Sequence, residues 1–509
     1  MRDILAEIVT RRREDLQRLG PTFGVKIPEQ RKRPIVPFLG VDGTILEIKR
    51  SSPSKGDIAM GLDPVAVAKA YDKAGTQAIS VLTEGNYFHG SLNDLLVATE
   101  AAPRCSFLRK DFLLEEEEIE IAYRCGADAV LLIARILSEE KLLRMAARAR
   151  FFGMTPFIEV RTEEDVLLLQ KAASLGPVVA GVNSRDLATF HMDSLIPAAF
   201  RSRLPCKAVF ESGALYPEDA AFARHLGFEG ILIGEAAAKH PKMAGALVSA
   251  FVNAVPNRAG DFWKKIAERR ETLRKELPGR PLVKICGITN AEDGLNAFAL
   301  GADLLGFVLA KSPRSTDEKT VREVTHQVVE SAKKKEAVSP EMNFAASVSR
   351  RPPLFIGVIT DPFSEAGKTA LCLAEEGVLD AVQFHGCALP HSLVANYGRY
   401  AAVRIGNEEN VQTLLASAKQ GEPRTLIDAR VEGTLGGTGQ RIPHDLVKKV
   451  ASQIPLWLAG GIDCLNVKQV VEEFQPELID LSSALESSPG KKDLDKMKRL
   501  FAQLPSKEK

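Results

Sequence analysis

Short apolar runs recur along this chain at fairly regular intervals, each followed by a stretch of helical character. Eight such units run in succession, the pattern restarts, and eight more follow. Parallel strands cannot be joined by a tight turn, so each needs a crossover, usually helical, that covers a face of the sheet. That alternation confines the chain to a parallel α/β architecture. The first strands read at TILEIK (44–49), AISVLT (78–83), SFLRKD (106–111), DAVLLI (128–133), TPFIEV (155–160), VVAGVN (178–183), AVFESG (208–213) and GILIG (230–234). The second set reads at LVKICG (282–287), DLLGFVL (303–309), LFIGVIT (354–360), AVQFHG (381–386), AAVRIG (401–406), TLIDA (425–429), PLWLAG (455–460) and ELIDLSS (477–483). The expected fold class is α/β, as two fused (β/α)8 barrels of the TIM type. An open doubly wound sheet is the alternative, which the count of eight disfavours.

A chain of 509 residues exceeds one ordinary core. We expect a first barrel over 1–255, with residues 1–43 as an N-terminal helical extension, a charged helical connector over 256–281, and a second barrel over 282–509. The polar stretch 330–353 reads as a flexible insertion in an αβ connection, on the barrel face remote from chemistry. A formal net charge of +1 leaves no electrostatic footprint for nucleic acid. No apolar run reaches the roughly 20 residues of a membrane helix, and the charged N-terminus lacks a secretory core. The 7 cysteines are scattered without CxxC spacing, and His is sparse. That pattern suits reduced thiols in cytoplasm and no metal. We expect a cytoplasmic monomer that needs neither metal nor cofactor.

The first strand poses the chemical question. Glu47 and Lys49 interrupt an apolar run and, two residues apart, share one face. An isolated buried ion pair can be structural. Further polar groups stand near other strand ends, however: Lys110, Glu159, Asn183 with Arg185, and Glu211 with Ser212. Barrel active sites lie at the C-terminal ends of strands, and so many charged or amide groups converging there are costly to bury without a ligand. ESGALY after strand 7 and IGEAAAKH after strand 8 add small residues where backbone N–H groups can face an anion.

The second half repeats the arrangement, with LAGGID (458–463) and DLSSALESSPG (480–490) after its last two strands. Two phosphosugar-type sites without a dinucleotide fingerprint suggest acid–base chemistry on phosphorylated carbon skeletons. Cys286 ends strand 1 of this half and Asp428 ends strand 6. A thiol opposite a carboxylate makes an acid–base pair when each is tuned, although a lone Cys on an apolar strand is more often core. Lys284 shares the face of Cys286. Arg314 in AKSPRS is placed either to hold an anion or as a solvated loop residue.

These motifs resemble two enzyme families of tryptophan biosynthesis. ILEIKRSSPSKG, FLRKDF, IEV, GVNSRDL, ESG and LIGEA are similar to the successive motifs of indole-3-glycerol phosphate synthase. KICGIT, SPRS, VQFHG, GGTG, LAGGI and DLSSALESSPGKKD are similar to those of phosphoribosylanthranilate isomerase. The order resembles that of fused bifunctional enzymes. The first resemblance implies condensation of a carboxyphenylamino-deoxyribulose phosphate, with loss of carbon dioxide and water, to indole-3-glycerol phosphate. It assigns Lys110 as general acid, Glu159 as general base and Lys49 to substrate binding and dehydration. Glu47 orients the lysines and Glu211 stabilises the site. Asn183 and Arg185 take the anthranilate carboxylate, Ser52, Gly213 and Gly234 with the backbone at Glu235 form the phosphate side, and Ser212 is a further substrate-binding candidate.

The second resemblance implies an Amadori rearrangement of N-(5-phosphoribosyl)anthranilate. In it Asp428 is the acid that opens the ribose ring and Cys286 the base that removes the C2 proton. Arg314 contacts the anthranilate or shields the site, and Gly460, Gly461, Ser482 and Ser483 bind phosphate. Gln383 and His385 support the site from strand 4, with a purely structural His385 as the alternative. Ala484 stands where that motif usually has Gly. Rival readings are one active and one degenerate barrel, a non-catalytic phosphosugar sensor, and the related histidine-pathway isomerase. That last family calls for a carboxylate where this chain has Cys286. Each site is expected to open at its own barrel mouth, without channelling.

Overall fold

Sixteen parallel strands close into two separate eight-stranded barrels. The computed structural model describes residues 4–506 except 41–42, 54–55, 187–190, 240, 339–350, 388, 390–394, 418–421 and 430–441. The chain divides into two compact units, Met1–Pro256 and Asn257–Lys509.

The first barrel comprises β1 (Thr44–Ile48), β2 (Ala78–Leu82), β3 (Ser106–Lys110), β4 (Ala129–Ile133), β5 (Thr155–Val160), β6 (Val179–Asn183), β7 (Ala208–Glu211) and β8 (Gly230–Ile233). It closes where β1 pairs with both β2 and β8. Side chains alternate faces, so every second residue enters the interior. Ile45, Leu108, Leu131, Phe157, Val179, Val209 and Leu232 build one buried apolar core. Two residues further along those strands stand Glu47, Lys110, Ile133, Glu159, Gly181, Glu211 and Gly234. The polar interruptions are thus the next inward rung, stacked above an apolar layer toward the C-terminal mouth.

The N-terminal helix Ile4–Leu19 adds Leu5 and Ile8 to this core. Its buried Arg12 bonds Asp111 at 2.9 Å and Glu118 at 2.7 Å, just past the end of β3. At the opposite end Phe38 closes the interior, its ring edge-on to Phe157 at 5.9 Å.

The second barrel comprises β9 (Leu282–Cys286), β10 (Leu304–Val308), β11 (Leu354–Ile359), β12 (Ala381–His385), β13 (Gly398–Ile405), β14 (Leu426–Ala429), β15 (Trp457–Ala459) and β16 (Leu478–Leu481). β13 begins three residues before the apolar run at 401, because Gly398 and Tyr400 pair with β12. The stretch assigned to a connector holds helix Arg258–Glu276, which belongs to the second unit. Phe262 and Trp263 are fully buried, with Phe262 stacked on Tyr400 at 6.4 Å and Trp263 beside Trp457 at 5.9 Å. Lys265 pairs with Asp380 and Arg270 with Glu477, both at the N-terminal ends of strands. Aromatic area of this size is worth several kcal/mol on burial, so the helix serves as the barrel's floor rather than as a tether.

Of the stretch expected to be an insertion, 330–338 continues helix Glu318–Val338, and 339–350 lies outside the described residues. The GGTG motif (436–439) and Ser54–Lys55 of the first quoted motif also lie outside them. No described helix is long and apolar enough to cross a membrane.

Candidate active sites

At the mouth of the first barrel the inward rung converges from opposite walls. The Lys110 ammonium from β3 reaches across to the Glu211 carboxylate on β7 and lies 3.6 Å from Glu159 on β5. Glu47 on β1 pairs with Lys49 at 2.5 Å and accepts from Ser80 Oγ at 3.4 Å. Asn183 donates through Nδ2 to Glu159 at 3.3 Å, while its Oδ1 accepts from Ser212 Oγ and the Arg185 N–H, each at 2.9 Å. One amide therefore ties the ends of β5, β6 and β7 together. Glu47, Lys49, Ser52, Lys110, Glu159, Asn183, Arg185, Glu211, Ser212, Gly213, Gly234 and Glu235 all line one pocket. Its other wall is apolar, with Ile8, Phe88, Phe112, Leu131 and Ile133.

The electrostatics follow from that packing. Burial alone raises a carboxyl, and Glu211 is pushed up to about 7 with Lys110 opposing the rise. Burial would lower the Lys110 ammonium, but Glu211, Glu159 and Glu47 more than offset it and hold it above the usual lysine range. Glu47, also buried, stays below the ordinary carboxylate range because Lys49 and Lys110 outweigh desolvation. The result is a lysine that stays protonated beside one carboxyl that titrates near neutrality. Glu211 Oε1 is buried and has no hydrogen-bond partner among the described residues.

A residue not anticipated from sequence makes this fit possible. A Cβ on Gly181 would lie 2.1 Å from Glu211 Oε1 and 2.5 Å from the Phe157 ring, so only glycine leaves room for the carboxylate. The alternation Val179, Gly181, Asn183 could have flagged it as an inward position.

The second mouth has a different construction. Lys284 is fully buried and crosses the barrel from β9 to bond Gln383 Oε1 on β12 at 2.9 Å, while also pairing with Asp480 on β16 at 2.6 Å. Tyr400 adds its hydroxyl to Gln383 Oε1 at 3.1 Å. Above this polar layer stand Cys286 and Asp428, both lining one cleft of about 860 Å³ with Arg314, Gln383, His385, Gly460, Gly461, Ser482 and Ser483. Burial raises the Cys286 thiol, with Lys284 opposing, and raises the Asp428 carboxyl, with the Ala429 N–H opposing. Gly460 and Gly461 take positive φ (+91° and +65°), a conformation that suits Gly.

Cys286 is more enclosed than a residue at the rim, and Arg314 is not simply a solvated loop side chain. Its Nε donates to both Glu486 oxygens at 2.9 and 3.0 Å. Lys492, also fully buried, joins that group, bonding Glu486 at 3.0 Å and the Cys286 carbonyl at 2.6 Å. Lys492, Glu486 and Asp480 were not singled out from sequence. Asp480 was detectable by the logic applied to Glu47, as a charge within an apolar strand.

The profile of the family described as indole-3-glycerol phosphate synthase matches residues 40–249, and that of N-(5'-phosphoribosyl)anthranilate isomerase matches 327–503. A tryptophan biosynthesis protein of Phytophthora nicotianae is 30% identical over 478 residues, covering 85% of this chain and 86% of that protein. The chain is a member of this fused synthase–isomerase family. The indole-3-glycerol phosphate synthase of Geobacillus thermodenitrificans is 37% identical over 254 residues, 49% of this chain and 96% of its own length. The multifunctional tryptophan biosynthesis protein of Schizosaccharomyces pombe is 32% identical over 473 residues, 89% of this chain. The chain spans 58% of that relative and 61% of the one from Phycomyces blakesleeanus. The synthase-family profile covers every residue of the first pocket except Ile8 of the N-terminal helix. The isomerase-family profile begins after Cys286 and Arg314, so those two positions rest on the geometry of the second cleft.

Proposed function

We propose that the chain is a bifunctional enzyme of tryptophan biosynthesis whose second barrel makes the substrate of its first. What supports this reading is that Lys110 and Glu159 line one mouth and Asp428 and Cys286 the other, side chains suited to serve as acid and base. A phosphosugar sensor needs anion-binding loops but no such pairs, which argues against that rival and against a degenerate barrel.

In the second barrel, neutral Asp428 gives its proton to the ribose ring oxygen of N-(5-phosphoribosyl)anthranilate. The C1–O bond breaks as the nitrogen lone pair forms C1=N. The Cys286 thiolate then takes the C2 proton, the electrons shift to an enamine, and ketonisation yields 1-(2-carboxyphenylamino)-1-deoxyribulose 5-phosphate. Burial keeps Asp428 protonated further up the pH scale, which suits a general acid. Gly460, Gly461, Ser482 and Ser483 take the phosphate.

In the first barrel the apolar wall packs the anthranilate ring, and Asn183 with Arg185 takes its carboxylate. The ring carbon bearing that carboxylate attacks the ketone while Lys110 protonates the carbonyl oxygen. Carbon dioxide leaves, and the new hydroxyl departs as water when Glu159 removes the adjacent proton. Lys49 binds substrate and serves the dehydration, and Glu47 and Glu211 hold the two ammonium groups in place. Ser52, Ser212, Gly213 and Gly234, with the backbone at Glu235, take the phosphate. An acid must be protonated at working pH, and three carboxylates keep Lys110 so. Both reactions move protons and carbon dioxide without net redox change, so no redox cofactor is called for. We place the enzyme in the cytoplasm as a monomer acting on small phosphorylated substrates.

The test is a fluorescence assay with phosphoribosylanthranilate generated in situ. Wild type should consume it and form indoleglycerol phosphate. Lys110→Ala should block product formation while consumption continues. Cys286→Ala should block enzymatic consumption and with it product formation, which supplying the isomerised carboxyphenylamino-deoxyribulose phosphate should restore. Binding of the ligands by wild type without turnover would defeat the reading.

A further inference from the structure

His385 stands at the end of β12, 9% exposed, and its Nε2 has no hydrogen-bond partner among the described residues. That atom lies 3.6 Å from Asp428 Oδ2, close but beyond hydrogen-bond length. What it can offer the carboxyl depends on which ring nitrogen carries the proton, and the layer beneath settles this. An ammonium only donates, so the Gln383 atom 2.9 Å from Lys284 Nζ must be the amide oxygen, which also accepts from Tyr400. The amide NH2 then faces His385 Nδ1 at 3.3 Å. An NH2 group cannot accept, so Nδ1 must, and the imidazole proton is left on Nε2.

The ring is also held neutral. Burial, with Lys284 and Arg404 adding to it and Asp480 opposing, pushes it down to about 4. Asp428 Oδ1 already accepts from the Ala429 N–H at 2.8 Å, so the proton of the neutral acid belongs on Oδ2, toward His385. While it carries that proton, Oδ2 is a poor acceptor for Nε2–H across the 3.6 Å gap. Once Oδ2 has lost its proton it becomes an anion facing a fixed, neutral donor.

We propose that His385 is a positioning residue for Asp428: the Lys284–Gln383 chain fixes its Nε2–H tautomer, and that N–H stabilises the carboxylate formed when Asp428 protonates the substrate. This rests on the general-acid reading of Asp428. In the step, the Asp428 O–H bond breaks, its proton goes to the ribose ring oxygen, and Nε2–H donates to Oδ2 without transferring its own proton. The layer below the site therefore acts on the chemistry without touching substrate. Charged groups bearing on the pair are Lys284 and Asp480 below and Arg404 beside it.

The test uses the full chain labelled with 15N-histidine, and His385→Gln assigns the signal among the 8 histidines. Nitrogen spectra between pH 5.5 and 8 should show His385 neutral with its proton on Nε2. His385→Leu, which has no donor, should lower isomerase kcat by about tenfold to a hundredfold, as loss of one hydrogen bond to a charge implies. Its KM should change little and synthase kcat not at all. His385→Gln, whose amide nitrogen can replace Nε2–H, should run at least several-fold faster than His385→Leu. A proton on Nδ1, a charged ring at pH 7, or wild-type kcat in His385→Leu would overturn the proposal. Asp428→Asn separates the failures. If it is inactive while His385→Leu is not, only this inference falls; if it is active, the general-acid reading falls with it.

Discussion

Replacing Lys110 by Met should destabilise the first barrel in a way that grows with pH. Burial raises the Glu211 carboxyl to about 7 from 4.5. Stability from the neutral form is therefore present below the unfolded value and is lost as pH climbs through 7. Lys110 opposes that rise, so removing it moves the folded value higher still. Wild type and variant then lose stability together up to about pH 7, and only the variant goes on losing it above. At 1.36 kcal/mol per pH unit the deficit should widen by about 2 kcal/mol between pH 7 and 8.5. At pH 6, where Glu211 is protonated in both, the deficit should be at its smaller value, set by Glu159 and Glu47 losing their ammonium partner. Urea unfolding followed by far-UV circular dichroism at the two pH values measures this. Both tryptophans, Trp263 and Trp457, lie in the second unit, so their fluorescence transition is a control that should not move. A deficit as large at pH 6 as at pH 8.5 would refute the assignment of Glu211 as the titrating group.

Other consequences are as direct. A Cβ at Gly306 would sit 2.8 Å from Cys286 Sγ, so Gly306→Ala should displace the thiol and cut isomerase kcat/KM by more than about tenfold, with synthase turnover in the same preparation unchanged. Arg12→Met strands Asp111 and Glu118 with Arg109 as their remaining close cation. It should cost about 2–3 kcal/mol in urea unfolding at pH 7.5 and lower synthase activity, since Asp111 follows Lys110. In the coupled reaction, product should appear after a lag that lengthens as enzyme is diluted. Absence of a lag at every dilution would argue for direct transfer of the intermediate.

What could be read from the chain alone was whatever depends on neighbours in sequence. Sixteen strands were legible because a parallel strand is an apolar run bounded by turns. Glu47, Lys110, Glu159 and Glu211 were legible because strand alternation puts them inward, at the mouth end. Cys286, at the end of β9, and Asp428, inward on β14, were legible on the same ground. Helix 258–276 was legible as a helix, but its role was not, since Phe262 and Trp263 find Tyr400 and Trp457 only once the second barrel has closed. The same holds for the Lys110–Glu211 and Lys284–Gln383 contacts, which join strands on far sides of a barrel. Gly181 matters only because Glu211 arrives from the next strand, and the tautomer of His385 depends on a lysine 101 positions earlier. Local pattern specifies which face a side chain takes. The stagger of closed strands decides which side chains meet there, and that is a property of the whole barrel.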